Sequence, residues 1–243
     1  MIVIGVVAAC ATPSLASPPR SVGGGAYDQR GGTSFRPSVV RSWSARLITP
    51  ARSRLAPGEA SRPGPAIRVE GPFAGKDQVF LVLDAQKAAD RSTWFRVLLP
   101  NRPNGRSAWL PAAVLAVKSN PWRINVRLAA RRLDLVRSGR VLQTWPVAVG
   151  QPANPTPTGR FAIGERVPQA NPNGFFGPVI LTLTAHSDTL SDFDGGDGRV
   201  ALHGTSRPGL LGTAASHGCV RLPNNAAQRI ATLVPAGTPV IIS

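Results

Sequence analysis

Two histidines bracket a cysteine in one short stretch, Leu202-His203-Gly204-Thr205 and then Ala215-Ser216-His217-Gly218-Cys219-Val220-Arg221-Leu222. A thiol attacks as thiolate, and an ordinary cysteine, with a pKa near ~8.5, is mostly protonated at neutral pH. A neighbouring imidazole can take that proton or, once charged, stabilise the thiolate. Gly218 lets the backbone come close to a substrate carbonyl, and N–H groups around Cys219 can then face a developing oxyanion. Arg221 lies two residues on, so in extended chain it projects on the same side as Cys219, where its fork of donors can hold a carboxylate. Residues of these types at this spacing point to acyl transfer through a cysteine.

With those residues in view, the sequence resembles the L,D-transpeptidase (YkuD-like) catalytic domain. The family's signature is an early His-Gly-Thr, a variable spacer, then Ser/Thr-His-Gly-Cys, a hydrophobic residue, and Asn or Arg. Every element is present, with sixteen positions from His203 to Cys219. Upstream, Thr156-Pro157-Thr158-Gly159-Arg160-Phe161 is similar to the family's Thr-Pro-Thr-Gly-x-(Phe/Tyr) segment, and Gly237-Thr238-Pro239-Val240 to its closing strand. The resemblance implies Cys219 as acylated nucleophile and His203 as general base, with the Gly204 carbonyl orienting the imidazole as the third member of a triad does. It implies His217 beside the oxyanion, and Arg221, Ser216, Gly218 and Thr205 in contact with substrate. It also implies peptidoglycan stem peptides as substrates, 3→3 cross-links with release of D-alanine, acylation by carbapenems, and no cofactor or metal.

Other readings of the same residues stay in view. Cys219 can be a buried structural thiol. A zinc site from His203, His217, Cys219 and an Asp is chemically possible, but its spacing matches no common zinc motif. Papain-like peptidases carry the cysteine before the histidine, the reverse of the order here. Water in place of the acceptor amine makes a carboxypeptidase or wall hydrolase, and loss of chemistry leaves a wall-binding protein. His186 reads as a surface or core histidine. The aspartate-rich run 188–198 lacks the spacing of a Ca loop and reads as a flexible or solvated loop. Trp122 and Trp145 read as core.

The elements that must position these residues are mostly strands. Ile124, Val126 and Leu128 alternate, as do Leu133 and Leu135 before a turn at Ser138-Gly139, and Val141, Val147 and Val149 follow. Val179–Leu183 and Val240–Ile242 are further strands. A single helix is predicted over Asn225–Val234, with Ala226, Ile230, Leu233 and Val234 on one face and Asn224 or Asn225 as cap. Residues 121–243 are thus expected to form a mainly β sandwich with a short helix. Residues 67–118 form a second, small β unit, with strands at Val79–Leu83, Trp94–Leu98 and Trp109-Leu110. Trp94 through Val114 resembles the end of a bacterial SH3-like β-barrel module.

The chain has 243 residues, 42% apolar, with 25 glycines and 24 prolines, which favours short strands and turns over a helical bundle. Its net charge is +16, and the basic residues, nearly all arginine, are spread along the chain. Such charge attracts anionic polymers of the cell wall, but no recognition helix or RNP-like motif suggests nucleic acid. Residues 17–66, rich in Pro, Gly, Ser and Arg, read as a disordered tether. The apolar run Ile2–Ala11 is too short to span a bilayer. It resembles a secretory signal with a small-x-small site at Ser14-Leu15-Ala16 or a relaxed lipobox ending in Cys10, and otherwise reads as an uncleaved apolar N-terminus. Under either signal reading residues 1–16 are an export signal, the protein is expected outside the cytoplasm, and a membrane contact requires lipidation of Cys10.

Overall fold

A computed structural model describes residues 34–192 and 196–243. The predicted signal at 1–16, Cys10 and the first part of the predicted tether lie outside the described residues.

Seven short strands make the first unit: β1 (Ser42–Leu47), β2 (Ala51–Arg54), β3 (Pro63–Ile67), β4 (Val79–Lys87), β5 (Thr93–Leu98), β6 (Ser107–Pro111) and β7 (Leu115–Asn120). They form one antiparallel sheet in the order β3-β2-β6-β5-β4-β1-β7. Alternating side chains such as Ala45, Leu47, Phe80, Val82, Phe95, Val97 and Leu110 meet in one core. The predicted tether over 17–66 is therefore corrected for residues 42–66, which supply three of the seven strands. The reason is physical. β2 reads Ala-Arg-Ser-Arg and buries only Ser53, and β3 carries two prolines, which an edge strand tolerates. Their order comes from pairing with distant strands rather than from apolar pattern of their own.

The second unit begins with β8 (Trp122–Arg127), β9 (Arg132–Arg137), β10 (Arg140–Pro146), β11 (Val149–Gly150) and β12 (Gly159–Pro168). It continues with β13 (Val179–His186), β14 (Arg199–His203), β15 (Ala214–Ser216), β16 (Val220–Arg221), α1 (Asn224–Leu233) and β17 (Pro239–Ile242). Eight of these strands form a sheet in the order β10-β9-β8-β17-β12-β13-β14-β16, and β11 pairs with β15 in a small parallel ribbon. The described residues are mainly β with one short α-helix, as expected. α1 starts one residue earlier than predicted. Ala226, Ala227, Ile230 and Ala231 face the core, while Leu233, predicted inward, is 38% exposed. Ala227 and Ala231 are small enough to let the helix lie close to the sheet, so the buried stripe runs through them and turns Leu233 outward.

β13 is buried along almost its whole length because both faces are covered. Leu181, Leu183 and Ala185 enter the core beneath α1. On the neighbouring strand Ala162 turns the other way and packs against Leu81 and Leu98 of the first unit. Asn120 joins the two units through three hydrogen bonds. Its Nδ2 donates to Ser44 Oγ (3.0 Å) and Thr238 Oγ1 (2.9 Å), and its Oδ1 accepts the Trp122 N–H (3.0 Å). Asn120 is 2% exposed, so removing the amide leaves buried partners unpaired. Asn120→Ala is expected to cost about 1–3 kcal/mol, or roughly 2–4 °C of melting temperature per kcal/mol, in a thermal unfolding experiment.

Candidate active site

Strand register brings the chemistry together. β14 and β16 run parallel, with Leu202 opposite Val220 and His203 opposite Arg221. Side chains two apart in a strand share a face, so His203, Arg221 and the preceding Cys219 project to one side. Leu202, Val220 and Leu222 point to the other side and enter the core. Two short strands at the sheet edge thus separate a reactive face from a packed one. His203, Ser216, His217, Cys219 and Arg221 line one cleft, together with Phe175, Phe176, Leu190, Gly198, Arg199 and Val200.

His203 is almost fully enclosed, at 1% exposed. Its Nδ1 lies 2.7 Å from the Gly204 carbonyl oxygen. A carbonyl only accepts, so Nδ1 carries the proton and the lone pair sits on Nε2. Phe176 meets the ring edge-on at 5.1 Å, and Phe175 stacks on it at 6.1 Å. Burial lowers the imidazole pKa from 6.5 to about 4; the bond to Gly204 opposes this, and the Arg221 charge adds to it. The imidazole is therefore neutral at neutral pH. Gly204 can present its carbonyl here because it lacks a side chain: a Cβ would overlap Asn224 Oδ1 and come within 2.9 Å of Gly177 Cα. The same Asn224 Oδ1 accepts the Thr205 N–H at 2.7 Å, which fixes the turn that follows the histidine.

Cys219 follows a tight turn. Gly218 has φ +116, a backbone conformation that disfavours any side chain. Ser216 Oγ accepts the Gly218 N–H at 3.1 Å and donates to the Cys219 carbonyl, so one hydroxyl closes the turn from within. Cys219 is partly exposed. Desolvation pushes its thiol pKa up, while a backbone hydrogen bond at Ala201 and the Arg221 charge pull the other way. The resting pair is thiol and neutral imidazole. Arg221 is 6% exposed, its Nε lacks a hydrogen-bond partner, and its guanidinium lies 4.9 Å from the Phe175 ring centre. None of the ion pairs among the described residues includes it. Among the described residues this buried cation has no carboxylate counter-ion, and the cleft is where one can arrive.

The structure brings Cys219, His203, Gly204, His217, Ser216, Gly218 and Arg221 to one place. Thr205 lies apart. Its Oγ1 accepts the Arg207 N–H at 3.0 Å, and it borders a separate depression with Asn173, Pro208 and Asn224. Its hydroxyl oxygen thus takes part in the turn, with the O–H still available as a donor. The Ser216 hydroxyl is likewise committed to backbone, so its side chain shapes the turn more than it offers a free donor. His186 is core, 2% exposed, with Nε2 3.1 Å from Asp197 Oδ2. Among the described residues no three His, Cys, Asp or Glu side chains converge as metal ligands. Sequence reading missed Phe175, Phe176 and Asn224. The signal for the first two was two adjacent aromatics inside the turn-rich Asn171-Pro172-Asn173-Gly174-Phe175-Phe176-Gly177, where a core has no use for them.

The family profile for the L,D-transpeptidase catalytic domain, YkuD, matches residues 121–242. A Bacillus subtilis (strain 168) protein provisionally named L,D-transpeptidase YkuD is 37% identical over 123 residues, 51% of this chain and 66% of that relative. A Bacillus licheniformis protein of the same provisional name is 34% identical over 164 residues, 64% of this chain and 90% of the relative. The solved L,D-transpeptidase 3 of Mycobacterium tuberculosis overlays with a TM-score of 0.44 at 14% identity, over 68% of this chain and 91% of that one. That overlay is loose and adds no weight.

The buried imidazole ties stability to pH. The unfolded chain takes up the His203 proton near 6.5 and the folded state only near about 4, so between these values the unfolded state binds more protons. Stability therefore falls as pH drops from 6.5 to about 4, by about 3 kcal/mol from this group alone. Urea unfolding at both ends of that window is expected to show this loss in the wild type and much less of it in His203→Gln. Equal pH slopes in the two proteins would mean that the imidazole is not held neutral.

Proposed function

The chain belongs to the L,D-transpeptidase (YkuD) catalytic-domain family, and from that premise we propose that it is a peptidoglycan L,D-transpeptidase forming 3→3 cross-links through a Cys219 thioester. The observation that carries this reading is the shared cleft of a thiol, a neutral imidazole with its free lone pair on Nε2, and a buried arginine that pairs with no carboxylate among the described residues.

The donor is a tetrapeptide stem whose third residue is a diamino acid. Arg221 holds a stem carboxylate, which supplies the missing counter-ion. Cys219 Sγ attacks the carbonyl carbon of the third residue while His203 Nε2 takes the thiol proton. The Gly218 N–H is already bonded to Ser216, which leaves the Cys219 N–H as a backbone donor for the oxyanion, with His217 beside it. Collapse breaks the amide, and His203 returns the proton to the departing D-alanine amine. The side-chain amine of a second stem then attacks the thioester and gives up a proton through His203 to the leaving thiolate. One amide replaces another, so the exchange needs no cofactor or metal. Because both groups start neutral, proton transfer accompanies attack and no standing ion pair is required.

Peptidoglycan lies outside the cytoplasmic membrane, so this reading puts the protein there. Its charge of +16 suits contact with anionic wall polymers.

Intact-mass analysis with a carbapenem and then with a tetrapeptide stem tests the proposal. The expected results are one acyl adduct on Cys219, released D-alanine and a cross-linked stem dimer, all lost in Cys219→Ala. Release of tripeptide without dimer would mean that water is the acceptor and the enzyme is a carboxypeptidase. An adduct elsewhere would overturn the nucleophile. Arg221→Ala is expected to lower kcat/KM for the stem about 10–100-fold, read by steady-state kinetics, because a charged bond to a carboxylate is lost.

A further inference from the structure

Between His186 at the end of β13 and Arg199 at the start of β14 runs a segment whose residues 187–192 and 196–198 lie outside the named strands. One backbone bond, from Ser187 N–H to the Gly198 carbonyl, closes its base. Within it, the Leu190 N–H and the Thr189 N–H both reach the Ser187 hydroxyl, and Thr189 Oγ1 donates to Asn154 Oδ1 at 3.1 Å. Yet Leu190, Gly198 and Arg199 form one wall of the cleft that holds Cys219. The Asp197 carboxylate also meets His186 Nε2 at 3.1 Å and Arg199 Nη2 at 2.8 Å, and a further support comes from outside.

That support is the β5–β6 connection of the first unit. Arg102 Nη1 donates to the Ser187 carbonyl (2.8 Å), and its Nη2 donates to the carbonyls of Leu190 (2.8 Å) and Asp197 (3.2 Å). One guanidinium thus gathers three carbonyls from both limbs of the segment. Asn104 acts as a strand partner would: its Oδ1 accepts the His186 N–H and its Nδ2 donates to the His186 carbonyl, both at 2.8 Å. The same Nδ2 reaches Asp188 Oδ1 at 3.1 Å. Returning the contact, Arg199 Nη2 donates to the Pro100 carbonyl at 2.9 Å. Arg102 forms none of the ion pairs among the described residues, so its bonds go to backbone.

We propose that Arg102 and Asn104 are positioning residues that fix Leu190 and Gly198 in the wall of the cleft, so that the first unit sets how the stem peptide seats against Cys219. The first unit is then a working part of the site and not only a spacer. Arg102 touches neither Cys219 nor His203; it acts on substrate fit through the backbone it holds. The effect on substrate rests on the transpeptidase reading, whereas the bracing itself does not.

The test uses the full chain with Arg102→Ala and Arg102→Lys. Amide hydrogen exchange over residues 186–192 is expected to speed up roughly tenfold or more in Arg102→Ala, as charged donors to three carbonyls are lost, with partial recovery in Arg102→Lys. For the stem peptide, KM is expected to rise about tenfold with kcat within about twofold, since an interaction that serves binding alone is weakened. Alkylation of Cys219 by iodoacetamide should stay within about twofold, because the nucleophile and its base are untouched. Unchanged exchange over 186–192 would overturn the proposal. So would KM and kcat moving together in step with a lowered melting temperature, which is the mark of a purely structural contact. If the wild type itself fails to turn over the stem, the transpeptidase reading falls. The bracing is then judged by exchange and by the rate of Cys219 labelling with a bulky maleimide relative to iodoacetamide. That ratio is expected to change severalfold in Arg102→Ala, and an unchanged ratio would overturn it.

Discussion

The hydrogen bond from His203 Nδ1 to the Gly204 carbonyl is short, at 2.7 Å, and buried, and much of the second unit is arranged so that it can form. A neutral imidazole can be an acid or a base at either nitrogen; tying Nδ1 to an obligate acceptor leaves only Nε2 for chemistry. The acceptor is a backbone carbonyl one residue away, so the ring is oriented by the chain that carries it. This works only while Gly204 has no side chain and Asn224 holds the next N–H. Phe175 and Phe176 then close over the ring and keep water from competing for it.

Desolvation sets the electrostatic state of this arrangement. Burial favours the neutral forms of both His203 and Cys219, and the Arg221 cation next to them disfavours a second positive charge on the ring. The same cation pulls the thiol pKa down, so one guanidinium both discourages imidazolium and favours thiolate. Among the described residues no carboxylate pairs with Arg221, which leaves its charge available for an anionic substrate group. The site thus holds a positive field in a partly dry cleft, where charge interactions are stronger than in water.

The reactive centre was legible in the sequence because its parts are local. His203-Gly204-Thr205 and Ser216 to Arg221 are short motifs, and the period-two rule already put Cys219 and Arg221 on one face. The strands of the second unit were legible too, since Ile124, Val126, Leu133, Leu135 and Val240 alternate or cluster as buried strands do. What the sequence hid depends on distant partners. β1 to β3 look like tether because their order comes from pairing with β4, β6 and β7. Leu233 fits a helical stripe by period, yet Ala227 and Ala231 decide which face lies closest to the sheet. Asn224 was read as a helix cap, but its amide faces the histidine turn instead, a pairing across nineteen positions of chain.

The central claim is that His203 rests neutral, with its proton on Nδ1 and its lone pair on Nε2. Nitrogen-15 NMR of the histidine ring in the full chain reads this directly. The account predicts a protonated Nδ1 and a bare Nε2 at neutral pH, with the second proton added only near about 4. A ring already doubly protonated at pH 7, or one protonated on Nε2, would contradict it. The first result would mean that Cys219 rests as a thiolate in an ion pair, and the second that the Gly204 carbonyl does not orient the base.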